Sequence, residues 1–172
     1  VFAGTEQDKD GYRVAKVWDA LGGDQFTVRA RAFVNATGPW SDTVRQIEGG
    51  RGSARVQGSK GVHIAVDRDR VGNRDAVVML HPRDGRVLFA LPNGTQTIFG
   101  TTDTYTPAKP DDVRANSADV DYLLESANWY FPDSKLRRDD VIAAWAGIRP
   151  LMPSSDNEAS ASREHAIKIS KR

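Results

Sequence analysis

The feature that most constrains the fold is a run of four segments between Gly61 and Asp103 whose apolar residues recur at every second position: "GVHIAVD", "DAVVMLH", "RVLFALP" and "QTIFGTTD". A period of two sends alternate side chains to opposite faces, so each segment reads as a strand with one face turned towards a core. The last three are separated only by "PRDG" and "NG". Asp-Gly and Asn-Gly suit tight hairpin turns, which makes these strands antiparallel neighbours. Such a sheet needs a cover, and "SADVDYLLESANWYF" supplies one. Val120, Leu123, Leu124 and Ala127 fall on one helical stripe, with Ser117 placed to cap the helix and Pro132 to end it.

On the N-terminal side, "YRVAKVWDALGGDQFTVRARAFVNATG" reads as a hairpin turning at "GGD", its second strand running on through the buried, apolar "AFVNATG". Gly38 and Pro39 then suit a strand-to-helix turn into "PWSDTVRQI". "GGRGSARVQGSKG", from Gly49 to Gly61, is rich in Gly and Ser and reads as a loop or boundary. Beyond the covering helix, "DDVIAAWAGIRPLMP" is a long strand, "SSDNEASAS" a polar loop and "REHAIKIS" a last strand. Many short strands with one good helix define an α+β fold on a largely antiparallel sheet, without the βα alternation of a complete parallel one.

Composition narrows the function classes. The 172 residues suffice for one well-cored domain, or one domain plus a piece of another. Lysine and arginine, 24 in all, nearly balance 23 acidic residues and are interspersed with them, so no nucleic-acid partner is expected. No apolar run approaches the roughly 20 residues of a bilayer span, and "VFAGTEQDKDG" lacks a signal-peptide pattern. The absence of cysteine removes disulfide, thiolate-ligand and cysteine-nucleophile chemistry and fits a reducing, cytoplasmic compartment. His63, His81 and His165 lie in no ligand spacing, so no metal site is expected. Neither a G-x-S-x-G elbow nor a complete G-x-G-x-x-G or P-loop occurs. A chain that begins without Met and stops on "IKISKR" reads as a fragment of a longer polypeptide.

Four motifs carry chemistry. "GSKGVHIAV" puts His63 on a strand face with Gly61 and Ala65, leaving room beside the side chain best suited to moving a proton near neutral pH. "AAWAGIRPLMP" sets Arg149, a permanent cation, in an apolar strand, where it needs an anion. That anion is either an internal carboxylate such as Asp103 or Glu158, or a substrate carboxylate or phosphate matched by the planar fork. "FGTTDT" ends a strand in hydroxyls and one carboxylate. "VNATGPW" lets a backbone approach a flat or anionic ligand closely.

Taken in order, "VNATGPWSD", "GSKGVHIAV", "IFGTTDT", "YLLESANWYF", "DDVIAAWAGIRPL" and "SREHAI" resemble the middle and later part of the FAD-dependent glycerol-3-phosphate dehydrogenases, from about Val34 to the C-terminus. The resemblance implies that residues 1–48 are part of an FAD-binding domain and residues 49–172 a substrate-binding sheet domain. It implies oxidation of sn-glycerol 3-phosphate to dihydroxyacetone phosphate, with hydride passing to FAD and electrons to quinone, in an enzyme at the inner face of a membrane. His63, Arg149 and Arg163 fall where that family places substrate-site side chains. A neutral imidazole is the better proton acceptor, so His63 is the candidate base. Arg149, the second catalytic candidate, and Arg163 would neutralise phosphate and developing alkoxide charge. Thr37, Gly38, Pro39 and Trp40 are the cofactor-binding candidates, and Thr101 to Asp103 would shape the site floor. The family's Gly-rich FAD cradle is not in this sequence, so the chain alone is expected neither to hold flavin tightly nor to turn over. A glycerol-3-phosphate oxidase using oxygen, an amino-acid-oxidase-like flavoenzyme and a non-catalytic phosphate-binding module are the competing functions.

Overall fold

The structure is a computed structural model and describes residues 1–153 and 166–169. It divides into two compact units, Val1–Val56 and a second that begins at Gln57.

The first unit is an antiparallel sheet of β1 (Phe2–Gln7), β2 (Arg13–Trp18) and β3 (Gln25–Ala30), in that order, followed by a 3-10 turn over Gly38–Trp40 and helix α1 (Ser41–Ile47). Alternation predicted the β2–β3 hairpin, but β1 is an addition. Glu48, just beyond α1, ties the helix to the sheet by accepting from the Thr5 N–H at 2.7 Å and from Arg13 Nη2 at 3.2 Å. The apolar run "AFVNATG" does not continue β3 as expected. Pairing with β2 ends at Arg13↔Ala30, and Phe33 and Val34 are exposed. A buried strand needs neighbours for its N–H and C=O groups, and within this unit none lies beyond the end of β2.

The second unit is a six-stranded antiparallel sheet of β4 (Gln57–Asp67), β5 (Val77–Leu80), β6 (Val87–Asn93), β7 (Gln96–Gly100), β8 (Thr104–Tyr105) and β9 (Val141–Leu151). Its order is β5-β6-β7-β4-β8, with β9 also paired to β4. A one-turn helix, α2 (Arg68–Val71), leads out of β4, and α3 (Ser117–Tyr130) is the covering helix. Strand β4 organises the sheet: β7 lies along His63–Asp67 on one side, and β9 runs along nearly its whole length on the other. The four strands, the helix and the long penultimate strand follow the sequence periods, and the architecture is α+β on antiparallel sheets.

One face of the sheet forms the core. Val62, Ile64 and Val66 of β4, with Met79, Leu88 and Phe99, pack under Leu123, Leu124 and Ala127 of α3. Full burial of side chains this size contributes roughly 1.5–3 kcal/mol each. The cap of α3 is Asn116, not Ser117. Asn116 is extended, its side chain accepts from the Asp119 N–H, and Asp119 reaches back to the Asn116 N–H in a capping box. Either residue type caps well, and only Asn116 has the extended backbone that the geometry requires. Asp119 also receives the Lys60 ammonium at 2.6 Å in a largely buried pair that joins α3 to β4.

Two further expectations need correction. The glycine-rich segment does not stay a loop to Gly61, because β4 starts at Gln57 and its small residues make room for a neighbour's side chain. Of the expected last strand "REHAIKIS", the described Ala166 to Ile169 form no strand, and Ile167 and Ile169 are exposed. The rest of that segment lies outside the described residues.

Candidate active site

The sheet face opposite α3 carries Ser59, Gly61, His63 and Ala65 of β4, because alternation that buries Val62, Ile64 and Val66 must turn these the other way. Cross-strand pairing extends the face. His63 lies opposite Gly100 on β7 and Trp145 on β9, and Ser59 lies opposite Arg149. Val78 and Phe89 continue the His63 row onto β5 and β6. Phe89, Val78, Leu80, Val87 and Leu91 are exposed, so the face is an open apolar floor with polar groups at one end.

Arg149 leans diagonally from β9 across β4. A Cβ at Gly61 would lie 2.7 and 2.8 Å from its two terminal nitrogens and 2.7 Å from Thr101 Oγ1, so only glycine leaves this path open. The guanidinium donates through Nη2 to Thr101 Oγ1 at 2.8 Å and through Nη1 to the Thr102 carbonyl at 3.2 Å. Its internal counter-ion is Asp103, one of the two carboxylates singled out from the sequence. Glu158, the other, lies outside the described residues. The pairing is single and long, Nη1 to Oδ1 at 3.3 Å, and the same oxygen accepts from the Ser59 hydroxyl. With 30% of its side chain exposed, against 14% for Asp103, Arg149 keeps an open side towards solvent. This is not the bidentate closure that would satisfy the guanidinium internally.

The turn that holds Arg149 is pinned to β4. The Val62 N–H donates to Thr102 Oγ1 at 3.0 Å, and Arg86 donates to the Asp103 carbonyl. His63 is partly buried, and burial first, then the nearby Arg149 charge, lowers its pKa below the usual imidazole value. Both causes favour the neutral ring, the form that accepts a proton. The Arg149 charge and the His63 ring thus share one face of the sheet.

Thr37 to Trp40 belong to the first unit, in a turn organised by Asn35. The Asn35 amide donates to the Ser41 carbonyl at 2.9 Å and its oxygen accepts from Thr37 Oγ1 at 2.8 Å. Gly38 has φ 57°, a left-handed value that leaves bare backbone at the turn. Arg163 lies outside the described residues. Sequence reading missed Trp145, Gly100 and Ser59 as parts of the site. Their only signal is register, which places them beside His63 and Arg149 and which no local pattern encodes.

Among the described residues, the sheet thus has one face covered by α3 and one exposed face, the latter carrying His63 and an Arg149 whose contact with Asp103 is single. The chain is a member of the FAD dependent oxidoreductase (DAO) family, whose model matches residues 3–167. It is 34% identical to the aerobic glycerol-3-phosphate dehydrogenase of Staphylococcus haemolyticus over 88% of this chain and 27% of that protein. It is 41% identical to the mitochondrial glycerol-3-phosphate dehydrogenase of Macaca fascicularis over 91% of this chain and 22% of that protein. Among solved structures, the glycerol-3-phosphate dehydrogenase of Bacillus halodurans complexed with FAD superposes with a TM-score of 0.77 at 38% identity, covering 89% of this chain and 31% of that one. The L-alpha-glycerophosphate oxidase of Mycoplasma pneumoniae, at 13% identity and a TM-score of 0.62, shares the fold over 90% of this chain and 39% of that one. The chain spans about a quarter of the length of the curated relatives it matches.

Proposed function

We propose that the protein containing this chain oxidises sn-glycerol 3-phosphate to dihydroxyacetone phosphate, with FAD as its cofactor, quinone as the electron acceptor and a peripheral position on the inner face of the cytoplasmic membrane. Within it, the first unit contributes part of the FAD-binding domain and the second is the substrate-binding domain. The observation that carries the reading is the pairing of a permanent cation, Arg149, with a neutral base, His63, on one open sheet face. Support for the substrate comes from the names of the relatives.

The residues present fit the cofactor in part. The bare backbone at Gly38, flanked by Thr37, Pro39 and Trp40, suits close approach of a flat ring or a diphosphate. FAD, when bound, supplies the acceptor for the hydride that leaves C2. This chain's own residues do the rest. Arg149 binds the phosphate, or stabilises negative charge as it develops on the C2 oxygen, exchanging its single contact with Asp103 for the ligand. Neutral His63 takes the hydroxyl proton as the hydride departs, so the alcohol's proton and hydride leave by different routes. Arg163 adds a second cation. Among the described residues no helix is long and apolar enough to cross a membrane.

The test is turnover by the full-length protein, offering glycerol 3-phosphate or amino acids as donor and a quinone or oxygen as acceptor. Glycerol 3-phosphate oxidation with quinone reduction is expected. Amino-acid turnover without glycerol 3-phosphate turnover would sink the reading, and peroxide formation at full rate would reassign the acceptor to oxygen.

A further inference from the structure

Among the described residues, His63 is held by what flanks it in the sheet rather than by a hydrogen bond. In the register of β4 it lies between Gly100 of β7 and Trp145 of β9. On the Gly100 side the imidazole occupies the space of a side chain. A Cβ there would overlap Cδ2 and lie 2.7 Å from Nε2 and 2.9 Å from Cγ. On the other side the Trp145 indole stacks on the ring, 11° from parallel with centroids 5.5 Å apart. Among the described residues neither ring nitrogen of His63 has a hydrogen-bond partner. A histidine that must present one nitrogen is ordinarily oriented through a hydrogen bond at the other, and among the described residues none supplies it.

We infer that Trp145 is a positioning residue for the base: its indole and the bare backbone at Gly100 form a slot that fixes the plane of the His63 ring, and with it the nitrogen offered to the substrate hydroxyl. The inference rests on the reading of His63 as that base. Trp145 is 43% exposed, so its indole is not there to fill the core under α3. Its stacked face is spent on the imidazole. A base and its proton donor must meet at hydrogen-bond distance, about 3 Å, and an error of about 1 Å costs on the order of 100-fold in rate. A freely rotating imidazole would spread over orientations that miss that distance.

The test uses the full-length, flavin-loaded enzyme and its Trp145→Phe, Trp145→Ala and Gly100→Ala variants. Two quantities are read: kcat and KM for glycerol 3-phosphate across pH, and the titration of the His63 imidazole by NMR without substrate. Trp145→Ala is expected to lower kcat by about 10- to 100-fold with little change in KM, and to move the His63 titration up towards about 6.5 as water reaches the ring. Trp145→Phe, which keeps a stacking ring, is expected to restore both. Gly100→Ala should lower kcat as the alanine does at 145, by pushing the imidazole out of its slot. If Trp145→Ala fails to fold, Trp145→Leu keeps apolar volume without a ring and serves the same comparison.

Wild-type kcat and an unmoved titration in the ringless variant would overturn the inference, as would equal impairment of the Phe and Ala variants. His63→Asn separates this failure from that of the underlying reading. Retained turnover in His63→Asn removes the base and the inference together. Lost turnover there, with wild-type behaviour in the ringless Trp145 variant, removes the inference alone.

Discussion

At the scale of single residues, the candidate site sets a guanidinium near an imidazole, and that sets its pH dependence. His63 titrates below the usual imidazole value, first because of burial and second because of Arg149. Only the neutral ring accepts a proton, so kcat/KM of the full-length enzyme is expected to rise with pH along a limb whose midpoint lies below about 6.5. Arg149→Gln removes the second cause, so the limb should move up while KM rises. Arg149→Lys keeps the charge and loses the fork, so the limb should stay near its place while KM rises about 10-fold or more. A limb that ignores Arg149→Gln would mean that the guanidinium does not act on His63. Between the lowered pKa and about 6.5 the folded protein binds fewer protons at His63 than the unfolded chain, so stability from this residue falls as pH drops through that window. His63 and Arg149 were legible in the sequence because each residue type is out of place in an apolar strand. Ser59, Gly100 and Trp145 were not, because the side chains they face belong to other strands. Gly61 is the residue at which the two kinds of information meet. Gly61→Ala is expected to displace the guanidinium that its Cβ would touch, raising KM as Arg149→Lys does, and unchanged KM would show that Arg149 binds nothing from this position.

At the scale of elements, periodicity exposed the strands that have one buried face and left obscure those that do not. Strands β4 to β7 and helix α3 alternate or repeat because one side of each meets the core. β1 carries "FAGTEQ", with Gly4 at φ 130° and a register shift beside it, so no regular alternation announces it. β3 stops short of the apolar run that follows it, because strand length depends on a neighbour. The join between α3 and β4 was also invisible. Lys60 and Asp119 are 59 positions apart, yet their side chains are only 12% and 10% exposed and meet at 2.6 Å. Removing one charge of such a pair strands the other. Asp119→Ala is therefore expected to cost about 3–5 kcal/mol, with part of that from the lost capping box. Hydrogen exchange in the full-length protein would show it as lost protection of the α3 amides. Adding Lys60→Met should recover part of the loss, since the stranded charge goes with it. A cost below about 1 kcal/mol would be that of a surface pair, and the join would then rest on the apolar contacts of Leu123 and Leu124 alone.

At the scale of the molecule, what matters is a sheet covered on one side. Helix α3 seals the core face, while Val78, Leu80, Val87, Phe89, Leu91 and Trp145 stand exposed on or beside the other. Contiguous apolar patches above a few hundred Å² are uncommon on soluble monomers and mark surfaces that work against something else. Here the patch carries Arg149 and His63 at one end, and under the function proposed above it would be one wall of a ligand site. A chain about a quarter the length of its relatives would supply that wall without the Gly-rich nucleotide cradle. One wall buries less of a ligand than the 70–90% typical of closed sites, and affinity falls with it. Titrating FAD or glycerol 3-phosphate into this chain alone is therefore expected to give weak or undetectable heat. The open face should instead bind an apolar dye such as ANS, and Phe89→Ser together with Val87→Thr should reduce the dye signal. Submicromolar FAD binding by the chain alone would show that it already holds a complete site. Dye binding insensitive to both substitutions would move the exposed apolar surface to the sheet of the first unit, where Trp18, Phe26 and Val28 are also exposed. The two titrations separate a half-built site from an incidental patch, because only a half-built site combines weak ligand binding with dye uptake that maps to the His63 face.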